Sequence, residues 1–297
     1  MTGQNTTPDT AQRLAVLGAG VMGTGIAALA TGHGIAVSMI DVDPHRLAEA
    51  TARVDRHVRT ARLMGALPQD LRPGPLDVGP SLTDVPTGRT GTLTAVVEAV
   101  TEDPNAKAKV LADISALVAP GTPVVSNTSS IPIDELARSV ARPEDLIGSH
   151  FMNPPYLIRT VEVIRGPRTG PHTLDALRLL LAALGREPVV VEDAPGFVTS
   201  RILHPMINTA VRVVAAGTAS VESVDTLLQG CLGHPTGPLR TADLIGLDNL
   251  VDSLWVLHER TGDENCRPCE LLLAKVRAGH LGRKSGQGFY HYEGDLR

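Results

Sequence analysis

Short apolar runs alternate with amphipathic stretches over the first two thirds of the chain, and then the runs stop. Leu14–Leu17, Ala36–Ile40, Leu93–Val100, Pro123–Ser126, Leu146–Phe151, Thr160–Ile164 and Pro188–Val191 read as strands. Between them, the Ala-rich run to about Thr31 and the segments Pro44–Met64, Pro104–Val118, Pro132–Val140 and His172–Leu184 read as helices. Proline suits the first helical turn, where its missing N–H removes no bond. Strands alternating with helices predict an α/β fold with a doubly wound parallel sheet. Leu67–Pro80 is rich in Pro and Gly and reads as an extended loop. After Pro195 the rhythm is helical only: Phe197–Ala216, Val221–Cys231, Asp248–Arg260 and Pro268–Ala278. The expected organisation is a lead-in over 1–12, a sheet domain over 13–192 and a smaller all-α domain over 193–297.

The first strand, turn, helix and strand carry G-x-G-x-x-G, with Gly18, Gly20 and Gly23, and an acidic residue, Asp41, closing the second strand. In a dinucleotide site the first glycine permits the tight turn and the second lets the backbone approach a pyrophosphate. The third lets helix and strand pack closely, with the phosphates at the helix N-terminus. Gly18, Gly20, Val21, Met22 and Gly23 are therefore expected to bind a cofactor. A carboxylate at Asp41 would accept from ribose hydroxyls and repel a 2′-phosphate, so NAD is expected rather than NADP.

Composition narrows the class. The chain has 297 residues, 42% of them hydrophobic, and a formal net charge of −5. That balance argues against general nucleic-acid binding, and no apolar run is long enough to span a bilayer. The opening MTGQNTTPDTAQ is polar, lacks the regions of a signal peptide, and reads as a disordered lead-in to a cytoplasmic protein. Three cysteines are too few for a disulfide framework, and Cys266-Arg-Pro-Cys269 has no second pair to complete a metal set, so no metal is expected. Arg53, Arg56, Arg59 and Arg62 form a basic stripe on the second helix. It reads as a solvated face, or as a rim that attracts an anionic substrate carrier.

Three further places hold candidate chemistry. Ser126-Asn-Thr-Ser-Ser130 follows a strand, at the carboxyl edge where open parallel sheets bind ligands; from the residues alone it could equally cap the next helix. His150 ends the next strand in GSHFMNPP, and Glu162 sits inside the apolar pattern TVEVI. A glutamate in such a strand needs a partner to ionise cheaply, and an imidazole would serve. Beside a nicotinamide, the pair could oxidise an alcohol: imidazole takes the hydroxyl proton while the carboxylate holds the tautomer. Without that contact, His150 is a strand-end histidine and Glu162 a solvent-facing side chain.

The succession GAGVMG, EAVTED, SNTSS, SHFMNPP, VEVI, PGFVTSR and GRKSGQGFY resembles the 3-hydroxyacyl-CoA dehydrogenase family, from Arg13 to Tyr292. The resemblance implies an NAD-dependent 3-hydroxyacyl thioester dehydrogenase, 3-hydroxybutyryl-CoA dehydrogenase-like, with a Rossmann domain and a helical domain that forms a homodimer. It gives His150 as general base and Glu162 as its partner. Ser129 lies near the substrate oxygen, Asn153 beside nicotinamide and substrate, and Glu102, Lys107 and Lys284 at the cofactor. Where the family carries an asparagine in PGF-x-x-N-R, this chain has Ser200, a shorter group expected at the acyl end of the substrate. The family's lysine contact to CoA has no counterpart here, since the helix carries arginines. These departures, with TADLIGLDNL, resemble a subgroup of polyketide extender-unit dehydrogenases, which act on a hydroxyacyl group such as glyceryl held on an acyl carrier protein. Two other classes compete. One is a short hydroxyacid dehydrogenase with a helical catalytic lysine, which FVTSRILHPMINTAVRVV does not offer. The other is a non-catalytic NAD-binding protein.

Overall fold

The computed structural model describes residues 12–81, 83 and 93–292. All but the last residue of the expected lead-in therefore lies outside the described residues. The chain divides into two compact units, with the boundary between Asp193 and Ala194.

The first unit is built on a sheet that has eight strands among the described residues, in the order β3-β2-β1-β4-β5-β6-β7-β8. These are β1 (Arg13–Leu17), β2 (Ala36–Ile40), β3 (Leu76–Gly79), β4 (Ala95–Glu98), β5 (Val124–Asn127), β6 (Leu146–His150), β7 (Thr160–Arg165) and β8 (Glu187–Glu192). The helices are α1 (Val21–Gly32), α2 (Pro44–Leu63), α3 (Pro104–Leu117), α4 (Ile133–Leu136) and α5 (Pro171–Ala183). Strands β1 and β4 are apolar over nearly their whole length because a parallel strand covered on both faces has no polar side. The order reverses between β1 and β4, which is the topological switch point where such sheets bind ligands.

Local chemistry sets the helix ends. Asp43 caps α2, accepting from His45 N at 2.9 Å, with Pro44 in the first turn. Asp103 caps α3 in the same way, accepting from Ala106 N at 2.8 Å. Helix α2 buries Ala50, Val54, Val58 and Ala61, spaced to form one stripe. Helix α1 buries every residue from Gly23 to Gly32, and its small side chains let it lie close to the sheet.

The structure corrects three expectations in this unit. The segment 67–80 is not all loop, for Leu76–Gly79 pairs with β2 as the edge strand β3. The expected helix Pro132–Val140 is a single turn, Ile133–Leu136. The sheet is not wholly parallel, because β7 runs antiparallel to β6. The connection 151–159 has no crossover helix, and a parallel return needs about a dozen residues or more.

The second unit is helical, with α6 (Thr199–Ala215), α7 (Val221–Leu232), α8 (Pro238–Ile245), α9 (Leu247–Thr261) and α10 (Glu270–Arg277). Its core gathers Ile207, Val211, Leu239, Leu247, Leu250, Leu254 and Leu272. Helix α8 was not expected from the pattern. It is short, lies between Gly237 and Gly246, and draws its cap from afar: Asp225 on α7 accepts from Leu239 N at 2.8 Å and Arg240 N at 2.9 Å.

Candidate active site

The carboxyl ends of β1, β2, β4, β5 and β6 point the same way, so the chemistry-bearing residues of the first unit collect along one edge of the sheet. At the switch point, Gly18 adopts a φ of +100° and its backbone lies against β4, where a Cβ would sit 2.4 Å from Ala99 O. A Cβ on Gly23 would sit 1.7 Å from Gly18 O, so helix and turn approach as only glycine permits. Gly20 is different: a Cβ there would meet nothing within 4 Å. Gly20 is the N-cap of α1 with no side-chain cap, and Val21 and Met22 open the helix. Asp41 is buried, and two backbone amides orient its carboxylate, Ala19 N at 2.7 Å and Asp43 N at 2.9 Å. A carboxylate has about four lone-pair positions, so acceptor capacity is left for ribose hydroxyls. A tight glycine turn, an open helix N-terminus and an oriented carboxylate together fit a dinucleotide.

Beyond β4 the polar groups form one connected network. Glu98 ends β4 with no exposed surface and is paired in the sheet with Ser126. Glu98 accepts from Val100 N at 2.8 Å, Ser126 Oγ at 2.6 Å and Lys107 Nζ at 2.8 Å. Lys107 also donates to Asn127 O at 2.8 Å and stands 3.4 Å from Glu102 Oε2. Glu102 in turn gathers the turn after β5, accepting from Thr128 Oγ1 at 2.6 Å, Ser129 N at 2.7 Å, Ser129 Oγ at 3.1 Å and Ser130 N at 3.2 Å. Burial opposes its ionisation, but the Lys107 ammonium and these donors outweigh it and hold Glu102 below the usual carboxylate range. Glu102 and Ser129 are thus brought together at the sheet edge. Lys107 departs from expectation: its side chain is fully buried, so it supports Glu102 from beneath and has no surface of its own to offer a cofactor.

His150 and Glu162 face each other directly across the β6–β7 pair. The imidazole Nδ1 lies 3.0 Å from Glu162 Oε2, with side-chain exposures of 12% and 5%. The antiparallel turn that departs from the expected sheet is what brings residues twelve apart into contact. Asn153 is exposed on the loop that follows β6. Pro155 packs that loop onto α1 at Gly25, where a Cβ would meet its Cδ at 2.7 Å, and Tyr156 packs it onto α2 through a 3.2 Å hydrogen bond with His57 Nδ1. Asn127 Oδ1 accepts from Phe151 N at 3.2 Å and so joins the β5 turn to the residue after His150.

Ser200 and Lys284 belong to the second unit. Ser200 is buried in the first turn of α6, and Lys284 donates to Asp248 Oδ2 on α9 at 2.6 Å. The three cysteines are free thiols, and burial pushes the Cys266 thiol up. On α2, Arg56 and Arg59 are exposed while Arg53 and Arg62 are half-buried, and Arg62 donates to Leu71 O.

Asn127 and Thr128 lie within the run 126–130 that was picked out as a whole, whereas Glu98 was not singled out from the sequence. Glu98 carried the same signal as Glu162, a lone glutamate in an apolar run (AVVEAV), with Lys107 nine residues on.

Known proteins match across both units. Residues 13–194 match the model of the 3-hydroxyacyl-CoA dehydrogenase NAD-binding domain, and residues 196–292 match that of the C-terminal domain of the same family. A probable 3-hydroxybutyryl-CoA dehydrogenase of Bacillus subtilis is 40% identical over 95% of this chain and 98% of its own length. A 3-hydroxybutyryl-CoA dehydrogenase of Bradyrhizobium diazoefficiens is 38% identical, over 95% of this chain and 96% of its own. Among solved structures, the (S)-3-hydroxybutyryl-CoA dehydrogenase of Ralstonia eutropha superposes with a TM-score of 0.84 at 36% identity, covering 95% of this chain and 99% of that one. With both of its domains accounted for and the first of them the family's NAD-binding domain, the chain belongs to the 3-hydroxyacyl-CoA dehydrogenase family.

Proposed function

We propose that the chain oxidises the C3 hydroxyl of a short 3-hydroxyacyl-CoA, with 3-hydroxybutyryl-CoA as the test substrate, using NAD. The observation that carries this is the largely buried His150–Glu162 pair at the carboxyl edge of a dinucleotide-binding sheet. NAD, when bound, supplies the hydride acceptor. His150 takes the hydroxyl proton at Nε2, since Nδ1 is engaged by Glu162. Glu162 fixes the imidazole orientation and balances the charge that the ring gains. Ser129 helps to hold the substrate oxygen, Asn153 orders the reactants, and Glu102 serves the cofactor. Ser200 at the acyl end and Lys284 at the cofactor are expectations carried from the family resemblance.

CoA is preferred over an acyl carrier protein because the relatives are named for CoA esters. The arginine stripe gives the carrier-protein alternative little support, as Arg53 and Arg62 are half-buried. A homodimer through the second unit is part of the proposal, supported by exposed Ile202, Leu227, Leu232 and Leu244, and light scattering on the purified protein tests it. A cytoplasmic setting goes with three free thiols.

The deciding experiment follows NADH formation from 3-hydroxybutyryl-CoA and from glyceryl loaded on an acyl carrier protein. Turnover of the CoA ester that disappears in His150→Gln is expected. Turnover of the carrier-bound substrate alone would overturn the choice of carrier. A folded, NAD-binding protein inert on both would overturn the enzyme assignment.

A further inference from the structure

A glutamate and a lysine, Glu98 and Lys107, sit side by side with no exposed surface at the sheet edge, and their recorded partners do not include His150 or Glu162. Removing Glu98 and Lys107 from water carries a desolvation penalty that apolar residues of similar volume would avoid. An ion pair at such a place is a weak source of stability. Its contacts suggest another purpose.

Lys107 has three hydrogens to give, and they run in three directions. Glu98 Oε1 and Asn127 O each take one at 2.8 Å, and the third direction holds Glu102 Oε2 at 3.4 Å. Glu98 meanwhile fixes the ends of β4 and β5 through Val100 N and Ser126 Oγ. Glu102 has no other cation among its recorded partners; the rest are hydroxyls and amides of Thr128, Ser129 and Ser130. The turn thus holds Glu102 Oε1, the ammonium stands beside Glu102 Oε2, and Glu98 holds the ammonium.

We infer that Glu98 and Lys107 are positioning residues for the cofactor: the buried pair holds Glu102 and the turn 126–130 in the arrangement that receives NAD. This rests on the reading of Glu102 as a cofactor residue. The pair acts through Glu102 and is not itself a catalytic group.

The test uses the full-length protein with two variants, the charge-neutral double substitution Glu98→Gln with Lys107→Met, and Glu102→Gln. Thermal stability and NADH affinity by fluorescence titration are measured for each and for the triple variant; no acyl substrate is needed, so the result is independent of the thioester. The expected result is a folded double variant whose Kd for NADH rises about tenfold to a hundredfold, the size of one charge-assisted hydrogen bond. In steady state the KM for NAD rises with it, while kcat changes little. Adding Glu102→Gln to the double variant then weakens binding no further, because both act on one contact. A double variant with wild-type NADH affinity overturns the inference, as does one that does not fold, since the pair would then serve the fold itself. Additive losses overturn it too. If Glu102→Gln alone leaves NADH affinity unchanged, the cofactor reading of Glu102 fails and the inference falls with it. A loss with Glu102→Gln but not with the double variant overturns the inference alone.

Discussion

Glu162→Gln is the sharpest perturbation of the proposed mechanism. Glutamine keeps the length of the side chain and an oxygen that accepts from His150 Nδ1, so the cross-strand pair keeps its geometry and loses only its charge. Both side chains are largely withdrawn from solvent, at 12% and 5% exposure, so water screens the pair weakly. At the 3.0 Å separation and an effective dielectric near 20, a full imidazolium and the carboxylate attract by about 5 kcal/mol. In the transition state the ring has gained only part of its charge; taking about half gives ~2–3 kcal/mol, or about a hundredfold in kcat at 1.4 kcal/mol per decade. NADH affinity should be unaltered, because the carboxylate acts through its bond to His150 and is not among the residues assigned to the cofactor. The assay is initial-rate NADH formation with 3-hydroxybutyryl-CoA at saturating NAD, together with NADH titration and a thermal melt. A kcat within about threefold of wild type, in a variant with wild-type Tm, would refute the role assigned to the carboxylate.

Further outcomes follow from the same geometry. Gly20→Ala should leave Tm near wild type, because its Cβ meets nothing within 4 Å, yet weaken NADH binding by filling the approach to the α1 N-terminus. Gly23→Ala should instead destabilise the fold by about 3 kcal/mol or more, since its Cβ would sit 1.7 Å from Gly18 O; a melt at wild-type Tm would contradict this. Asp41→Asn should narrow the preference for NAD over NADP in kcat/KM, as the charge that repels a 2′-phosphate is removed. Asp145 predicts an acid limb in stability. Burial opposes its ionisation, but Gly121 N, His172 and Arg142 hold its carboxyl below the usual range. A depressed folded value stabilises above the unfolded one, near pH 4, and that contribution fades as pH falls through the folded value. Asp145→Asn should therefore lower Tm at neutral pH and flatten the loss on acidification, measured by melts across that range.

The parts of this molecule that are local in sequence were legible in it. The glycine turn, α1 and Asp41 lie within one strand-helix-strand unit, and each residue's demand is satisfied by near neighbours. Helices α2 and α3 announce themselves through Asp43-Pro44 and Asp103-Pro104, where cap and first-turn proline adjoin. What was missed depends on distant partners. Strand β3 is a short edge strand, half exposed and set among prolines and glycines, so its order rests on distant partners, above all the pairing with β2. Helix α8 takes its cap from Asp225, on a different helix. The direction of β7 was readable from the short connection before it, although the apolar pattern of TVEVI is the same in either direction. Glu98 shows the same limit from the other side: a buried charge was visible in the pattern, but its three partners lie on α3, on β5 and just past its own strand.

The hairpin that carries His150 and Glu162 also settles where this enzyme can change over evolutionary time. Side chains alternate faces along a strand, so inserting a single residue into β6 or β7 would send one member of the pair to the opposite side of the sheet. Lengthening the connection between the two strands leaves the pairing of His150 with Glu162 intact. The two strands that hold His150 and Glu162 must therefore keep their lengths, while the connection between them can gain or lose residues only where Pro155 stays against α1 and Tyr156 against α2.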